Sequence, residues 1–427
     1  AANTRMLNLS TKATPGMRDW RIMDLELDGQ DYAGSAGVGA DGTIKQVLMI
    51  GMHMHSMAIG FGLDGALIQL HYLDGVTGHG MWDEIAIVDS TMTPIVASTS
   101  GWRIYASANR FTIQGNVLGN MLTSNSEGSH TVRIPYAEKA VISNNTIARA
   151  GVNQQALKLH SEAWCEVGYP ADICTTYDTG NGSGPPPPSY DYLTNTHPIG
   201  IYASLSGYTE KVLISDNKII GADNPYTISV APQNPIRDER LRDVIVERNW
   251  FVAGAGTQLM MWVDAGDSTI RNNVFDMEDS SKYKTFIYLT PPGFAPPIDN
   301  VSVYNNTLYG GSPAPVSGNE FTGIRVDSTA SNVRLVNNLV SAPTATNPIM
   351  ISGTGATGFV ESNNLLSQEV PSTLFVSATP AAPADFSLNP TSPARDTGLS
   401  TVPVLSDFFG ASRPQNGTID LGAIEGP

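Results

Sequence analysis

The chain of 427 residues is acidic, with a formal net charge of −16 and a pI of about 4.7. A non-specific binder of nucleic acid or anionic membranes needs a basic surface, so the charge argues against both classes. Charged residues are only 15% of the chain, whereas 41 glycines and 28 prolines suit many short strands joined by turns. The sequence contains no apolar run long enough to span a bilayer.

The first residues and the two cysteines predict an exported protein, secreted or periplasmic. The chain starts at Ala1-Ala2, as after cleavage of a signal peptide. Cys165 and Cys174 lie close together in sequence and predict a disulfide-closed loop, with two free thiols as the alternative. No capping helix precedes the first strands, which predicts that part of the natural N-terminus is missing. We expect a monomer.

Alternating apolar residues begin early, in residues 20–29, 45–65 and 66–75, which predict the first coils of a repeat. Further along, eight β-rich segments each close on an Asn. Successive Asn residues are 29, 72, 32, 24, 33, 32 and 26 residues apart. Most of these steps fit one turn of a solenoid. The eight are Asn116, Asn145, Asn217, Asn249, Asn273, Asn306, Asn338 and Asn364.

The repeat predicts an all-β fold, a single parallel β-helix over residues 1–385 with a closing segment at 386–427. We expect each Asn to adopt left-handed backbone angles and to bond the coils above and below. The step of 72 residues contains an insertion at 162–197 that holds both cysteines and a proline run. Such a run cannot pack as a strand, so we expect it to loop out beside the binding face.

The last forty residues resemble the C-terminal segment of bacterial secreted β-helix proteins known as choice-of-anchor Q. The matching residues are Asp396, Gly398, Arg413, Pro414, Asp420, Gly422, Ala423 and Glu425. As a whole, the chain resembles the pectate-lyase-like superfamily of right-handed parallel β-helices. The resemblance implies the architecture and says little about chemistry.

Aligning the first strand of each coil by its inward core residues predicts two outward rows. The first row is Arg103, Arg133, Lys158, Tyr202, Ser229, Trp262, Tyr288 and Arg325. The second row is Tyr105, Pro135, His160, Ser204, Ala231, Asp264, Thr290 and Asp327. Arg133 and Lys158 become direct neighbours, with His160 exposed nearby and Arg103 one coil below. Neighbouring positive charges are expected to lower the pKa of Lys158 and His160.

The same rows predict a track for sugars above the cations. Exposed Tyr202, Trp262 and Tyr288 offer aromatic faces for sugar rings, and Asp264 and Asp327 can accept hydrogen bonds from hydroxyls. Arg325, Tyr105 and Arg103 complete the predicted substrate-binding set. A basic patch beside such a track favours an acidic polysaccharide as the partner.

Metal sites are weaker candidates. His53 and His55 share a strand face, with His71 and His79 nearby, but no Cys or repeated carboxylate completes a ligand set, so structural histidines are favoured. Calcium is an open alternative, although the sequence contains no calcium-binding repeat.

These residues favour a lyase that cleaves a uronic-acid polymer by β-elimination. Arg133 neutralises the substrate carboxylate, Lys158 is the base, and His160, Tyr105 or Tyr202 is the acid. β-Helix lyases of related families often use a Lys/Arg pair on neighbouring coils, which this chain resembles, although it lacks their clear calcium set. The alternatives are a glycoside hydrolase using Asp264 and Asp327, an epimerase on the same polymer, and a non-catalytic carbohydrate-binding adhesin.

Overall fold

A computed structural model describes residues 4–9, 17–39, 44–63, 83–93, 103–106, 108–119, 130–134, 137–148, 154–160, 208–221, 226–232, 240–277, 284–291, 297–311 and 321–426. The first strands, in chain order, are β1 Thr4–Asn8, β2 Met17–Met23, β3 Glu26–Gly39, β4 Ile44–Ile50, β5 His53–Leu63, β6 Asp83–Val88, β7 Thr91–Met92, β8 Ile104–Ala106, β9 Ala108–Gln114, β10 Val117–Leu118, β11 Val132–Ile134, β12 Ala137–Ser143, β13 Thr146–Ile147 and β14 Leu157–Leu159. They are followed by β15 Tyr208–Ser215, β16 Lys218–Ile220, β17 Tyr226–Val230, β18 Arg240–Glu247, β19 Trp250–Val252, β20 Leu259–Val263, β21 Thr269–Arg271, β22 Val274–Asp276, β23 Lys284–Leu289, β24 Ser302–Tyr304, β25 Thr307–Tyr309, β26 Phe321–Val326, β27 Arg334–Val336, β28 Leu339–Ser341, β29 Ile349–Ser352, β30 Val360–Ser362 and β31 Leu365–Ser367. A helical turn α1, Pro371–Leu374, and a 3₁₀ turn, Pro383–Phe386, follow the last strand.

The strands stack in parallel to form a right-handed parallel β-helix with three sides. The back sheet has eleven strands: β2, β4, β6, β9, β12, β15, β18, β21, β24, β27 and β30. The corner ladder contains the short strands β7, β10, β13, β16, β19, β22, β25, β28 and β31. The front ladder contains β8, β11, β14, β17, β20, β23, β26 and β29. The two ladders meet in β5, whose first residues pair with β7 and whose last residues pair with β8.

The eight repeated Asn residues form one ladder, buried except for partly buried Asn364, at the corner between the back sheet and the corner ladder. Asn249 is representative. Its side-chain amide donates to Oδ1 of Asn273 at 3.0 Å and to the carbonyl of Ile214 at 2.8 Å. Its Oδ1 accepts the backbone N–H of Asn217 at 3.0 Å and the Asn217 amide at 2.9 Å. Each amide therefore joins neighbouring coils, as the repeat predicts.

The left-handed backbone lies one residue earlier than the sequence predicts. The residue before each ladder Asn has positive φ, for example 55° at Asn144, 53° at Asn272 and 58° at Asn337. Asn and Asp tolerate this region, and Gly115 supplies it with φ of 70°. The ladder Asn can then turn its amide inward. The left-handed turn and the hydrogen bonds between coils are therefore supplied by two adjacent residues.

The core runs along the axis and is apolar. On the front ladder the inward residues stack in register, including fully buried Ile104, Val132, Leu157 and Ile228. Because β-strands alternate between faces, the residue between two inward residues must face outward. The core register thus decides which side chains share the outer face.

The step of 72 residues between Asn145 and Asn217 is a single coil. β12 pairs directly with β15, and β14 pairs directly with β17. The insertion at 162–197 with Cys165 and Cys174 lies outside the described residues, as does the predicted early coil 66–75.

The chain after the last coil packs along the side of the β-helix, against the corner ladder. Phe375, Phe386 and Leu421 cluster with Val274 and Leu339, whose side chains project outward from the corner ladder. Further contacts are polar and use the left-handed Asn residues, listed with the backbone groups they bond: Asn305 with the Asp420 carbonyl at 2.9 Å, Asn337 with the Leu399 N–H at 2.8 Å, and Asn363 with the Thr397 carbonyl at 2.7 Å. This segment consequently covers the corner ladder and leaves the front ladder uncovered by it.

Candidate functional site

The outward residues at the centre of the front ladder form one column, the central column. Strand pairing places Tyr105 beside Arg133, Arg133 beside Lys158 and Lys158 beside Ser229. The pairing continues from Ser229 to Trp262, Tyr288 and Arg325. The predicted adjacency of Arg133 and Lys158 is confirmed.

Arg103 lies on the coil below Arg133, as predicted, but it does not belong to this column, and its predicted place in the outward row is wrong. Ile104 pairs with Val132, so Tyr105 faces outward beside Arg133. Arg103 precedes the inward residue and is 3% exposed, with Nη1 donating to the carbonyl of Met57 at 3.4 Å. Burial lowers the pKa of Arg103 to about 10. It faces the interior and does not line the outer surface.

The predicted order Lys158, Tyr202, Ser229 is also wrong. Because β14 pairs directly with β17, no coil carrying Tyr202 separates Lys158 from Ser229. Tyr202 and Ser204 lie outside the described residues. The correction brings the cations one coil closer to the aromatic residues than the sequence suggests.

A second column follows two residues further along each front strand, and its residues are His160, Ala231, Asp264, Thr290 and Asp327. Backbone bonds fix the register: Asp264 N–H donates to Val230, Thr290 to Val263 and Asp327 to Leu289. Asp264 and Asp327 are two coils apart, as predicted, which corresponds to about 9.6 Å at the usual strand spacing. Thr290 lies between them, and its hydroxyl oxygen is 3.1 Å from the Pro291 carbonyl and 3.4 Å from Asp327 Oδ2.

Arg133 is held in place from two sides. Its Nε donates to Nε2 of His160 at 3.0 Å, and its guanidinium lies 4.9 Å from the centre of the Tyr105 ring. An Nε2 that accepts a hydrogen bond leaves the proton of a neutral His160 on Nδ1. His160 is 0% exposed, so the prediction that it lies exposed beside the cations is wrong. The geometry makes His160 a support for Arg133.

His130 belongs to the same cluster, although the alternating pattern of the sequence does not single it out. It is buried, and Gln155 donates its backbone N–H to His130 Nδ1 at 3.1 Å. Burial first, and then the charges of Lys158 and Arg133, holds the pKa of His130 well below its usual value. His130 lies two residues before the inward Val132, at the position that Gln155 occupies one coil further on. That equivalence is the sequence signal that could identify His130.

The upper part of the central column is aromatic. The rings of Trp262 and Tyr226 lie 5.8 Å apart, and Trp262 Nε1 donates to the Thr290 carbonyl at 2.9 Å. Above them, the guanidinium of Arg325 lies 4.7 Å from the centre of the Tyr288 ring. Tyr226 precedes the inward residues of its strand, so the outward rows do not predict it. The indole hydrogen bond fixes the plane of a half-buried aromatic ring on the outer face.

The two carboxyl groups of the second column have opposite pKa shifts. Burial raises the pKa of Asp264 to about 7, and within the described residues no group hydrogen-bonds its buried Oδ2. The pKa of Asp327 is lowered by the backbone N–H and hydroxyl of Thr329, with a smaller contribution from the charge of Arg325. The column thus pairs a carboxyl that holds its proton up to neutral pH with an ionised one.

Within the described ranges no three His, Cys, Asp or Glu side chains are grouped to hold a metal ion. His53 and His55 lie 5.1 Å apart on β5, and His55 pairs with Glu26 at 3.1 Å. His71 and His79 lie outside the described residues. Calcium dependence is therefore left as a prediction. No helix in the described parts of the chain is long and apolar enough to cross a membrane.

Solved structures with a similar fold include two kinds of protein. A tailspike protein mutant of E. coli bacteriophage HK620 in complex with pentasaccharide is 12% identical, with a TM-score of 0.37 over 83% of this chain and 63% of that chain. Pectate lyase Pel9A is 14% identical, with a TM-score of 0.32 over 98% of this chain and 86% of that chain. This chain thus spans less than two thirds of the tailspike's length. These likenesses concern the β-helix scaffold and say nothing about chemistry.

No family model matches the chain, and no curated protein matches it. The resemblance of the last forty residues to the choice-of-anchor Q segment therefore stays a prediction.

Proposed function

We propose that this protein is an exported polysaccharide lyase that cleaves a uronic-acid-containing polysaccharide by β-elimination on the outer face of the front ladder. The observation that carries the proposal is the adjacency of Arg133 and Lys158 in the central column. Both side chains are half-buried and belong to neighbouring coils. Neighbouring coils are about 4.8 Å apart, so a single sugar unit can contact both groups.

β-Elimination needs a cation at the substrate carboxylate, a base at C5 and an acid at O4. Arg133 pairs with the carboxylate, which makes the C5 proton more acidic. The guanidinium is held for this by His160 and Tyr105. A fixed cation stabilises the developing charge without reorganisation during the reaction.

Lys158 is the proposed base. Its amine takes the proton from C5, the C–H electrons form the C4=C5 double bond, and the C4–O4 bond breaks. The departing O4 receives a proton from Tyr105, the half-buried phenol next to Arg133. His160 is the poorer acid because it is fully buried and its Nε2 already accepts from Arg133.

A glycoside hydrolase is the second candidate, and one specific observation favours it. Asp264 and Asp327 lie two coils apart with opposite pKa shifts. Pairs of carboxyls pushed apart in this way are typical of a general acid and a general base. A separation of about 9.6 Å lies at the upper end of the range for inverting enzymes.

Product analysis separates the candidates. The protein is incubated with alginate, polygalacturonate and glycosaminoglycans, and both ultraviolet absorbance of unsaturated uronate and new reducing ends are followed. Unsaturated ends that disappear in Lys158→Ala support the lyase. Reducing ends without unsaturation support the hydrolase, a change of uronate configuration without cleavage supports an epimerase, and binding without any product supports an adhesin.

A further inference from the structure

Charge is distributed unevenly along the central column. Its two lower cations, Arg133 and Lys158, occupy adjacent coils, and the next three coils carry Ser229, Trp262 and Tyr288. Three coils extend over about 14 Å. The column regains a cation only at Arg325, one coil above Tyr288. Along the described front ladder, the stretch above Lys158 is therefore uncharged in this column.

The second column adds no cation to this stretch and places an ionised carboxylate at its upper end. Asp264 is buried beside Trp262, and ionised Asp327 lies beside Arg325, whose charge it partly offsets. A homopolymer of uronic acid carries a carboxylate on every sugar. Placing a further carboxylate against Asp327 would bring like charges together, and placing one against protonated Asp264 would desolvate the new charge without a cationic partner, and both are unfavourable.

Neutral sugars fit this stretch well. The indole of Trp262 has a fixed plane, Tyr226 extends the aromatic surface, and Tyr288 follows one coil above. Aromatic faces pack on the apolar C–H faces of pyranose rings, while hydroxyl groups need polar partners. Asp327 and the hydroxyl of Thr290 supply those partners two residues away.

We propose that the substrate is an acidic heteropolysaccharide, in which the uronic acid bound at Arg133 and Lys158 is joined to neutral sugars that lie on Trp262 and Tyr288. This inference rests on the proposed function, because it places the reacting uronate at the two cations. It makes Asp327 and Trp262 determinants of specificity.

The test measures binding separately from turnover. Isothermal titration calorimetry on the full chain and on Lys158→Ala compares a galacturonate homotetramer with a gellan tetrasaccharide, which has one glucuronate among neutral sugars. We expect the gellan fragment to bind about tenfold tighter or more, because like-charge contacts across an interface are strongly unfavourable.

Asp327→Asn should narrow that preference by several-fold, and Trp262→Ala should weaken binding of the gellan fragment selectively. Glu361→Gln, which removes an exposed carboxylate on β30 of the back sheet, is the matched control and should leave the preference unchanged.

Equal or tighter binding of the homotetramer would overturn the inference, as would a preference that Asp327→Asn leaves untouched. These outcomes are distinct from failure of the proposed function. If the gellan fragment binds preferentially but no unsaturated product forms with any polymer, the lyase is wrong and the neutral-sugar surface stands. If the homopolymer is bound preferentially and eliminated, the lyase stands and the substrate class is wrong.

Discussion

Arg133 and His160 are joined across adjacent coils by a hydrogen bond of 3.0 Å from Nε to Nε2. A guanidinium that pairs with a planar carboxylate depends on its orientation as well as its charge. Tyr105 restrains the guanidinium from the other side. The fully buried imidazole therefore works through Arg133, as a positioning residue.

The first prediction concerns that role. His160→Leu removes the acceptor and should lower kcat/KM on uronate polymers by about tenfold to a hundredfold, since a misplaced group of this kind costs about that much. His160→Gln keeps a polar acceptor and should recover most of the activity. The shape of the pH–rate profile should be the same in both variants and the wild type.

Steady-state kinetics across pH, with thermal unfolding to confirm folding, supply the check. If His160 were itself the acid, Gln would fail to rescue and one limb of the pH profile would disappear.

The second prediction concerns the base. Lys158→Ala should lower kcat by about a thousandfold, within the range expected when a general base is removed. Lys139→Ala is the matched control, because Lys139 is an exposed lysine on β12 of the back sheet. Initial rates of unsaturated-uronate formation decide the matter. Comparable rates in the two variants would remove Lys158 from the mechanism.

Much of the architecture could be predicted because the β-helix repeats one chemical requirement. Eight successive corners use an Asn side chain that bonds neighbouring coils, so Asn116 through Asn364 determine the coil register, and the corner before them uses Ser90, whose hydroxyl accepts the Met52 N–H. That register also placed Arg133 beside Lys158. It could not show that the residue before each Asn supplies the left-handed turn, since Gly, Asn, Asp and Arg248 all serve there.

The errors in the site arise where the chain leaves the strands. Arg103 and His130 lie before the first residues of β8 and β11, where an alternation rule does not apply, and Tyr226, the first residue of β17, precedes the inward residues that define the columns. The pairing of Lys158 with Ser229 across the insertion depends on three-dimensional contacts. Apolar residues near Tyr202 have the same local pattern as a front strand, so sequence alone could not exclude them.

The third prediction concerns the Asn ladder. Asn249→Ala removes bonds to the coils on both sides and leaves buried groups without partners, including the Ile214 carbonyl. Each such buried group costs about 1–3 kcal/mol, so the free energy of unfolding should fall by about 3 kcal/mol or more. Asn364→Ala is the control, because Asn364 is partly buried at the end of the described ladder and bonds Asn338 and the Leu335 carbonyl, with no further Asn rung above it in the described ladder. Chemical denaturation should show a clearly smaller loss there, and equal losses would mean that the bond from Asn249 to the next rung does not stabilise the fold.

The fourth prediction uses the pKa of Asp264, which burial raises to about 7. In the unfolded chain an Asp titrates near 4, so below about pH 4 both states hold the proton. Between about pH 4 and 7 only the unfolded state releases it, so this carboxyl makes stability fall as pH rises through that window and adds no further change above it.

Asp264→Asn removes the effect, and its stability relative to the wild type should rise across the window by at most about 4 kcal/mol, since one pKa unit corresponds to about 1.4 kcal/mol. Denaturant unfolding of the wild type and of Asp264→Asn at a series of pH values measures this difference. If the difference in unfolding free energy between Asp264→Asn and the wild type stays constant from pH 4 to 8, Asp264 is ionised in the folded protein. It could then not serve as a general acid.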